Sequence, residues 1–229
     1  MCSFKILAVN SSPQKENGKT VKILNSFLKG AEEAGAETHL EHLYGQDISP
    51  CTACYSCWFN TPGECVLKDD MNQLLDKIKD SDIIVFCTPL YFYSVSGVMK
   101  NFIDRMLPLL TQYMELKDDY ARKTARESMP SKMVLVSSCG IYGMNQFDAL
   151  VYYFENLEKY LGIEFSGALL RSDAHLTRNY SEVYSAAKKA GTQLVKEGKI
   201  SPKLLEIISA PVITKEEFVK QTNEYYRNL

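Results

Sequence analysis

Cys51, Cys54, Cys57 and Cys65 are the densest set of chemically active side chains in the sequence. The first three are spaced three residues apart, and seven residues separate Cys57 from Cys65. Thiolates at such spacing can surround one metal centre, and soft sulfur ligands select iron–sulfur clusters or zinc. The same segment also reads as free or redox-active thiols, or as a disulfide-bearing loop. The chain has seven cysteines, an odd number, and clustering in a reducing compartment points to metal or redox chemistry more than to structural disulfides. Cys2, Cys87 and Cys139 read as small buried or loop residues. His39, His42 and His175 are scattered and read as structural or surface groups.

A second constellation lies in three loops. Asn10-Ser11-Ser12-Pro13-Gln14 through Gly18-Lys19-Thr20 offers hydroxyls, backbone N–H groups and a helix start. Orphan amides and the helix dipole both favour an anion there. An ordinary capped turn is the alternative. Gly18-Lys19-Thr20 matches the end of a Walker A loop, but Pro13 occupies its first glycine position. Proline lacks an N–H and fixes φ, so that loop does not form. No G-x-G-x-x-G follows the strand, which disfavours a dinucleotide site. The loop therefore suits a monophosphate. Thr88 to Gly97 places Pro89, Leu90, Tyr91 and Phe92 where a planar ring could lie. Ser137 to Gly143 adds Cys139 and two glycines, Gly140 and Gly143, which let backbone approach a ligand.

The elements that must position these loops alternate along the chain. Apolar runs at 4–9, 38–43, 82–88, 132–138 and 163–169 read as strands. Amphipathic stretches at 20–33, 69–79, 98–110, 146–160 and 181–196 read as helices. Strands without polar alternation, separated by helices, predict an α/β fold: a doubly wound five-stranded parallel sheet with helices on both faces. In such a sheet ligands sit beyond the carboxyl ends of the strands. The main domain is expected over 1–201, with a cysteine-rich loop at 49–68. Residues 112–130 read as a charged, helical or loop-like insertion. Residues 202–229 read as an extension packing on the domain or on a partner subunit.

Composition narrows the function classes. The chain has 229 residues, 26 basic and 28 acidic, for a net charge of −2. That excludes a strongly basic nucleic-acid binder and an acidic disordered chain. No apolar run reaches the roughly 18 residues of a membrane span. The start of the sequence does not read as a signal peptide, so a cytoplasmic location is expected.

Together the three loops resemble the flavodoxin-like NAD(P)H-dependent FMN reductase family, from residue 4 to about 198. The resemblance rests on Asn10-Ser11-Ser12-Pro13, Asn17-Gly18-Lys19-Thr20, Thr88-Pro89-Leu90-Tyr91-Phe92 and Lys100-Asn101-Phe102-Ile103-Asp104-Arg105. It implies that Ser12, Lys19 and Thr20 bind the FMN phosphate, with Ser11 and Gln14 nearby. Pro89, Leu90, Tyr91 and Phe92 would lie along the isoalloxazine ring, and Cys139, Gly140 and Gly143 would meet it from the other loop. Family members often carry an Arg where this chain has Gln14; Lys15 or Lys19 would replace its charge. Asp104 and Arg105 read as a structural ion pair or interface group.

The cysteine segment resembles that of iron–sulfur flavoproteins, a branch carrying a [4Fe–4S] cluster beside FMN, although its last gap is longer here. The resemblance implies an FMN-dependent oxidoreductase passing electrons from NAD(P)H to a small-molecule or quinone-type acceptor. The alternative is a one-electron carrier, with FMN and [4Fe–4S], serving a ferredoxin-like redox protein. A zinc-bearing binding module is a third reading. Because the flavin itself accepts hydride, no catalytic side chain is expected. A homodimer or homotetramer is expected, with no nucleic-acid or membrane partner.

Overall fold

The computed structural model describes residues 4–117, 119–174 and 180–228. Cys2 and His175 lie outside these described residues. Five strands form one parallel sheet: β1 (Lys5–Asn10), β2 (Glu37–His42), β3 (Ile83–Pro89), β6 (Lys132–Ser138) and β7 (Glu164–Arg171), in the spatial order β2-β1-β3-β6-β7. The three central strands are buried along almost their whole length, whereas β2 at the edge alternates with solvent. That is the signature of a sheet covered on both faces.

The covering helices are α1 (Lys19–Glu33), α3 (Met71–Lys79), α4 (Gly97–Asp104), α5 (Asp148–Leu161) and α6 (Ser181–Glu197). Alternate residues of one strand feed opposite cores. Leu7, Val9, Ile84, Phe86 and Leu135 join Leu75, Phe102 and Phe154 on one face. Ile6, Ala8, Val85 and Val134 join Phe27, Leu24, Ala187 and Leu194 on the other. On the second face α1 and α6 come into backbone contact. A Cβ added at Gly191 would lie 2.0 Å from the Phe27 carbonyl oxygen, and one at Gly30 would lie 1.8 Å from that of Lys188. The Thr192 hydroxyl donates to the Gly30 carbonyl across the same crossing, 2.8 Å away.

Three departures from the sequence reading have physical causes. The expected helix over 98–110 ends at Asp104 and becomes a short 3-10 turn over Leu107–Leu109. Pro108 has no N–H to continue the ladder. Residues 112–130 are not helical; an antiparallel hairpin joins β4 (Leu110–Lys117) to β5 (Tyr120–Ala125). Its stability is cross-strand, from the Arg122–Glu115 ion pair at 2.6 Å and the Thr111–Thr124 hydroxyl bond. The Glu115 and Arg122 charges of this insertion are thus paired across two strands. A four-residue helix, α2 (Ser56–Phe59), also forms within the cysteine segment.

After α6 come α7 (Pro202–Ser209) and α8 (Lys215–Arg227). Ile208 of α7 is fully buried in the α1–α6 core, and Arg171 at the end of β7 donates to the carbonyls of Ile208 and Ala210. Phe218 of α8 meets Tyr142 with ring centroids 5.6 Å apart. No helix among the described residues is long and apolar enough to cross a membrane.

One buried ion pair fastens the cysteine segment to this frame. Arg105, just past α4, grips Asp69 through two parallel bonds of 2.6 and 2.8 Å and also donates to the Ser49 carbonyl at 2.8 Å. Both side chains are 3% exposed or less. Asp104 pairs instead with Lys100, one helical turn earlier. Burial pushes the Asp69 pKa up, but the Arg105 hydrogen bonds, the Ser49 N–H and the Arg105 charge outweigh it and hold the carboxyl below its usual value.

Two outcomes are expected. Gly191→Ala forces α1 and α6 apart and lowers the unfolding free energy by about 1–3 kcal/mol in urea titrations. Asp69→Asn leaves Arg105 buried without its counter-charge and costs about 3–5 kcal/mol at neutral pH. Since the folded carboxyl has the lower pKa, the wild type's advantage over Asp69→Asn is complete above about pH 4 and fades as pH falls through the folded value. Urea midpoints measured from pH 7 downward check this slope.

Candidate functional site

Because all five strands run the same way, the loops after β1, β3 and β6 meet at one edge of the sheet, around a cleft of about 300 Å³. The first loop contributes Ser12, Gln14, Lys19 and Thr20 to its lining. The second contributes Pro89, Leu90 and Tyr91, and the third Cys139 and Gly140. Three expected residues do not line it. Ser11 is fully buried beneath, where its hydroxyl donates to the Cys87 carbonyl and faces Ser96 Oγ at 2.8 Å, tying the first loop to the second. Phe92 is fully exposed at a turn tip, and Gly143 precedes the short 3-10 turn over Met144–Phe147 with φ of 104°. Pro13, Ser138 and Ala174 also line the cleft and were not among the expected cofactor contacts.

The first loop makes one end of the cleft electropositive. Helix α1 starts at Lys19 with Gly18 as its N-cap, no side chain caps it, and no acidic residue sits in its first turn. Its first amides therefore lack helical partners, and the dipole presents positive charge. Gly18 has a packing reason: a Cβ there would fall 2.8 Å from Ser12 Oγ, which lies over the helix start. Thr20 Oγ1 and Ser138 Oγ lie 2.5 Å apart, joining the first loop to the end of β6. Desolvation lowers the Lys19 pKa and the nearby Lys22 charge lowers it further; an anion in the cleft would oppose both effects. Behind the loop, Asn10 Oδ1 accepts from the Ser12 N–H, and Asn10 Nδ2 meets His42 Nδ1 at 2.9 Å. His42 thus braces this loop.

The opposite end is aromatic and strained. Tyr91 and Ser94 exchange both backbone hydrogen bonds at 3.0 Å, with Phe92 and Tyr93 between them at φ of 48° and 63°. Two left-handed central residues make the turn geometry that Asn-Gly normally serves, and each side-chain-bearing residue there costs about 1–2 kcal/mol. Across the cleft, burial pushes the Cys139 thiol pKa up, and its Sγ donates to the Ile141 carbonyl. The first end suits an anion by charge, and the Pro89–Tyr91 and Cys139–Gly140 stretches line the same cleft.

The cysteine segment builds a separate site. Cys51, Cys54, Cys57 and Cys65 all line one narrow cavity of about 20 Å³, closed by Leu107, Pro108 and Arg105. Burial raises the Cys57 pKa to about 11, helped by the charges of Cys65, Cys51 and Cys54, whereas the Ser56 N–H lowers that of Cys54. The hairpin holds this loop from outside, with Lys123 Nζ 4.5 Å from the Trp58 ring centre and the Arg126 side chain against Gly63. All six cysteines among the described residues are free thiols, which corrects the disulfide reading. Among the described residues no three His, Cys, Asp or Glu side chains converge on a single-ion site. His39 pairs with Glu37 and His42 with Asn10, neither with the cysteines.

With this geometry in view, the relatives of the chain can be placed. Residues 4–150 match the family described as NADPH-dependent FMN reductase. The chain is 38% identical over 105 residues to an iron–sulfur flavoprotein of Archaeoglobus fulgidus, covering 46% of each chain. It is 30% identical over 115 residues to an iron–sulfur flavoprotein of Methanosarcina thermophila, covering 50% of this chain and 59% of that one. The matched stretches thus span about half the length of these curated relatives. Among solved structures it resembles an FMN-dependent NADH-azoreductase from Bacillus anthracis in complex with FMN, with a TM-score of 0.65 at 15% identity over 84% of this chain and 99% of that one. At that identity the likeness concerns the fold alone. The family match covers most of the chain, and the chain belongs to the NADPH-dependent FMN reductase family.

Proposed function

We propose that the chain is an FMN-dependent oxidoreductase that passes electrons from NAD(P)H through bound FMN to a small-molecule or quinone-type acceptor. The observation that carries this reading is the pairing, in one cleft, of an uncapped helix start beside Lys19 with an aromatic wall at Tyr91. The α1 amides, Lys19 and the Ser12 and Thr20 hydroxyls hold the phosphate. Pro89, Leu90 and Tyr91 on one side, and Cys139 and Gly140 on the other, orient the ring. Bound FMN supplies hydride acceptance and electron release, so the protein's part is position and electrostatics. Tyr91 is about half exposed, and Phe92, Tyr93 and Ile141 are exposed beyond it, leaving aromatic and apolar surface for a planar second reactant or for a second subunit of a homodimer or homotetramer. A cytoplasmic location goes with this reading.

Titration of flavin-free protein with FMN, followed by anaerobic reduction with NADH and NADPH, tests it. One FMN per chain, bleached by at least one nucleotide, is expected; protein that takes up no FMN sinks the reading. Thr20→Val, which removes a hydroxyl from the phosphate end, should weaken FMN binding about tenfold.

That four cysteines line one cavity carries a second reading, that the chain also holds a [4Fe–4S] cluster and exchanges single electrons with a ferredoxin-like partner; against it, no three metal-ligating side chains among the described residues come together. The name shared by the curated relatives supports it. Four thiol donors in a mostly apolar pocket are the chemistry such a cluster uses. On this second reading, anaerobic purification followed by iron and acid-labile sulfide assay finds stoichiometric amounts in the wild type. Cys54→Ser should lose both while keeping FMN. Iron-free wild type that binds FMN would leave the loop as a thiol or structural element.

A further inference from the structure

Tyr180 takes no part in the cleft lining, yet it touches two residues that do, Lys19 of the first loop and Ala174 after β7. It stands at the N-cap of α6, almost fully buried. Its ring centre lies 5.2 Å from Lys19 Nζ and 5.9 Å from the Arg171 guanidinium carbon. Its hydroxyl donates to the Ala174 carbonyl at 3.0 Å, and the Ala174 N–H donates in turn to the Cys139 carbonyl at 2.9 Å. Tyr184 stacks on it with centroids 5.3 Å apart and planes at 24°, fixing the ring.

Lysine is a point charge on a flexible stem, so its direction must be set by what it rests on. An aromatic face within about 6 Å of an ammonium attracts it through the ring quadrupole, and more strongly when both are partly desolvated. We propose that Tyr180 is a positioning residue for the anion end of the cleft: its π face holds the Lys19 ammonium toward the phosphate, while its hydroxyl fixes the Ala174–Cys139 wall. The two roles separate within one side chain. The ring acts on phosphate recognition, and the hydroxyl acts on the whole cleft. This inference rests on the flavin reading above.

The test compares FMN with riboflavin, which lacks the phosphate, by titrating flavin-free protein and following flavin fluorescence. The readout is the ratio of the two affinities. Wild type should prefer FMN, and Lys19→Met should reduce that preference. Tyr180→Met, which fills much of the volume without a π face, should cut it about five- to tenfold. Tyr180→Phe should keep the preference while weakening both flavins together. In a Lys19→Met background, Tyr180→Met should leave the ratio unchanged, since the two side chains act as one unit. If Tyr180→Met does not fold, Tyr180→Phe and tetrafluorophenylalanine at position 180 give the same comparison, because they differ mainly in the electron density of the ring. A ratio unmoved by Tyr180→Met, or by the fluorinated ring where it takes the place of Tyr180→Met, overturns the proposal and makes Tyr180 a packing residue. Wild type that binds no flavin, or binds both alike, overturns the flavin or phosphate reading itself, a different result.

Discussion

Everything in this molecule that resembles a site depends on five strands pointing the same way. A parallel sheet cannot be closed by tight hairpins, so each strand must return through a crossover, and the helices of those crossovers cover both faces. The arrangement leaves one edge where strands end, helices begin and backbone N–H groups lack partners. Ser12, Thr20, Ser138 and Cys139 are brought together there by topology, although residues 20 and 138 are far apart in sequence. The tight α1–α6 crossing at Gly30 and Gly191 belongs to the same constraint, because it sets where α1, and therefore its N-terminus, can lie.

The two candidate sites are held by different physics. The cleft is assembled from strand ends and is braced by short polar contacts: Ser11 with Ser96, Thr20 with Ser138, and Asn10 with His42. The cysteine loop has little regular structure and depends on one buried bidentate ion pair, Arg105 with Asp69, together with clasping by the β4–β5 hairpin. Arg105 also lines the cavity that the four cysteines share, so the same guanidinium anchors the loop and adds positive charge beside its sulfurs. Charge near a thiolate cluster influences both its assembly and its potential.

Much of this was legible in the sequence, for identifiable reasons. The central strands lack polar alternation and the helices carry clear apolar faces, so the sheet could be read from periodicity. The loop residues followed from their place after strands. What escaped was either non-local or disguised. Ala174 lines the cleft just beyond β7, and Tyr180 at the start of α6 touches it only through Lys19 and Ala174; nothing in their local sequence marks them. Ser138 stands out only once Thr20 is seen opposite it. The hairpin was hidden because Glu115 and Arg122 look like surface charges until they are paired across strands. The resemblance placed Ser11 near the phosphate; Ser11 is buried against Cys87 and Ser96, while its neighbour Ser12 lines the cleft.

The uncapped start of α1 has a thermodynamic consequence. In most proteins a Ser, Thr, Asp or Asn side chain satisfies that position and contributes about 1 kcal/mol. Here Gly18 brings no capping side chain to the helix start, and Lys19 adds a partly desolvated charge there. The fold therefore lacks a capping side chain's contribution at a place where an anion could supply it. By linkage, any anion that occupies this end preferentially in the folded state stabilises the whole domain in proportion to the logarithm of its concentration. The melting temperature of the flavin-free protein is then a property of the protein together with its buffer, higher in phosphate or sulfate than in chloride beyond what general salt effects produce.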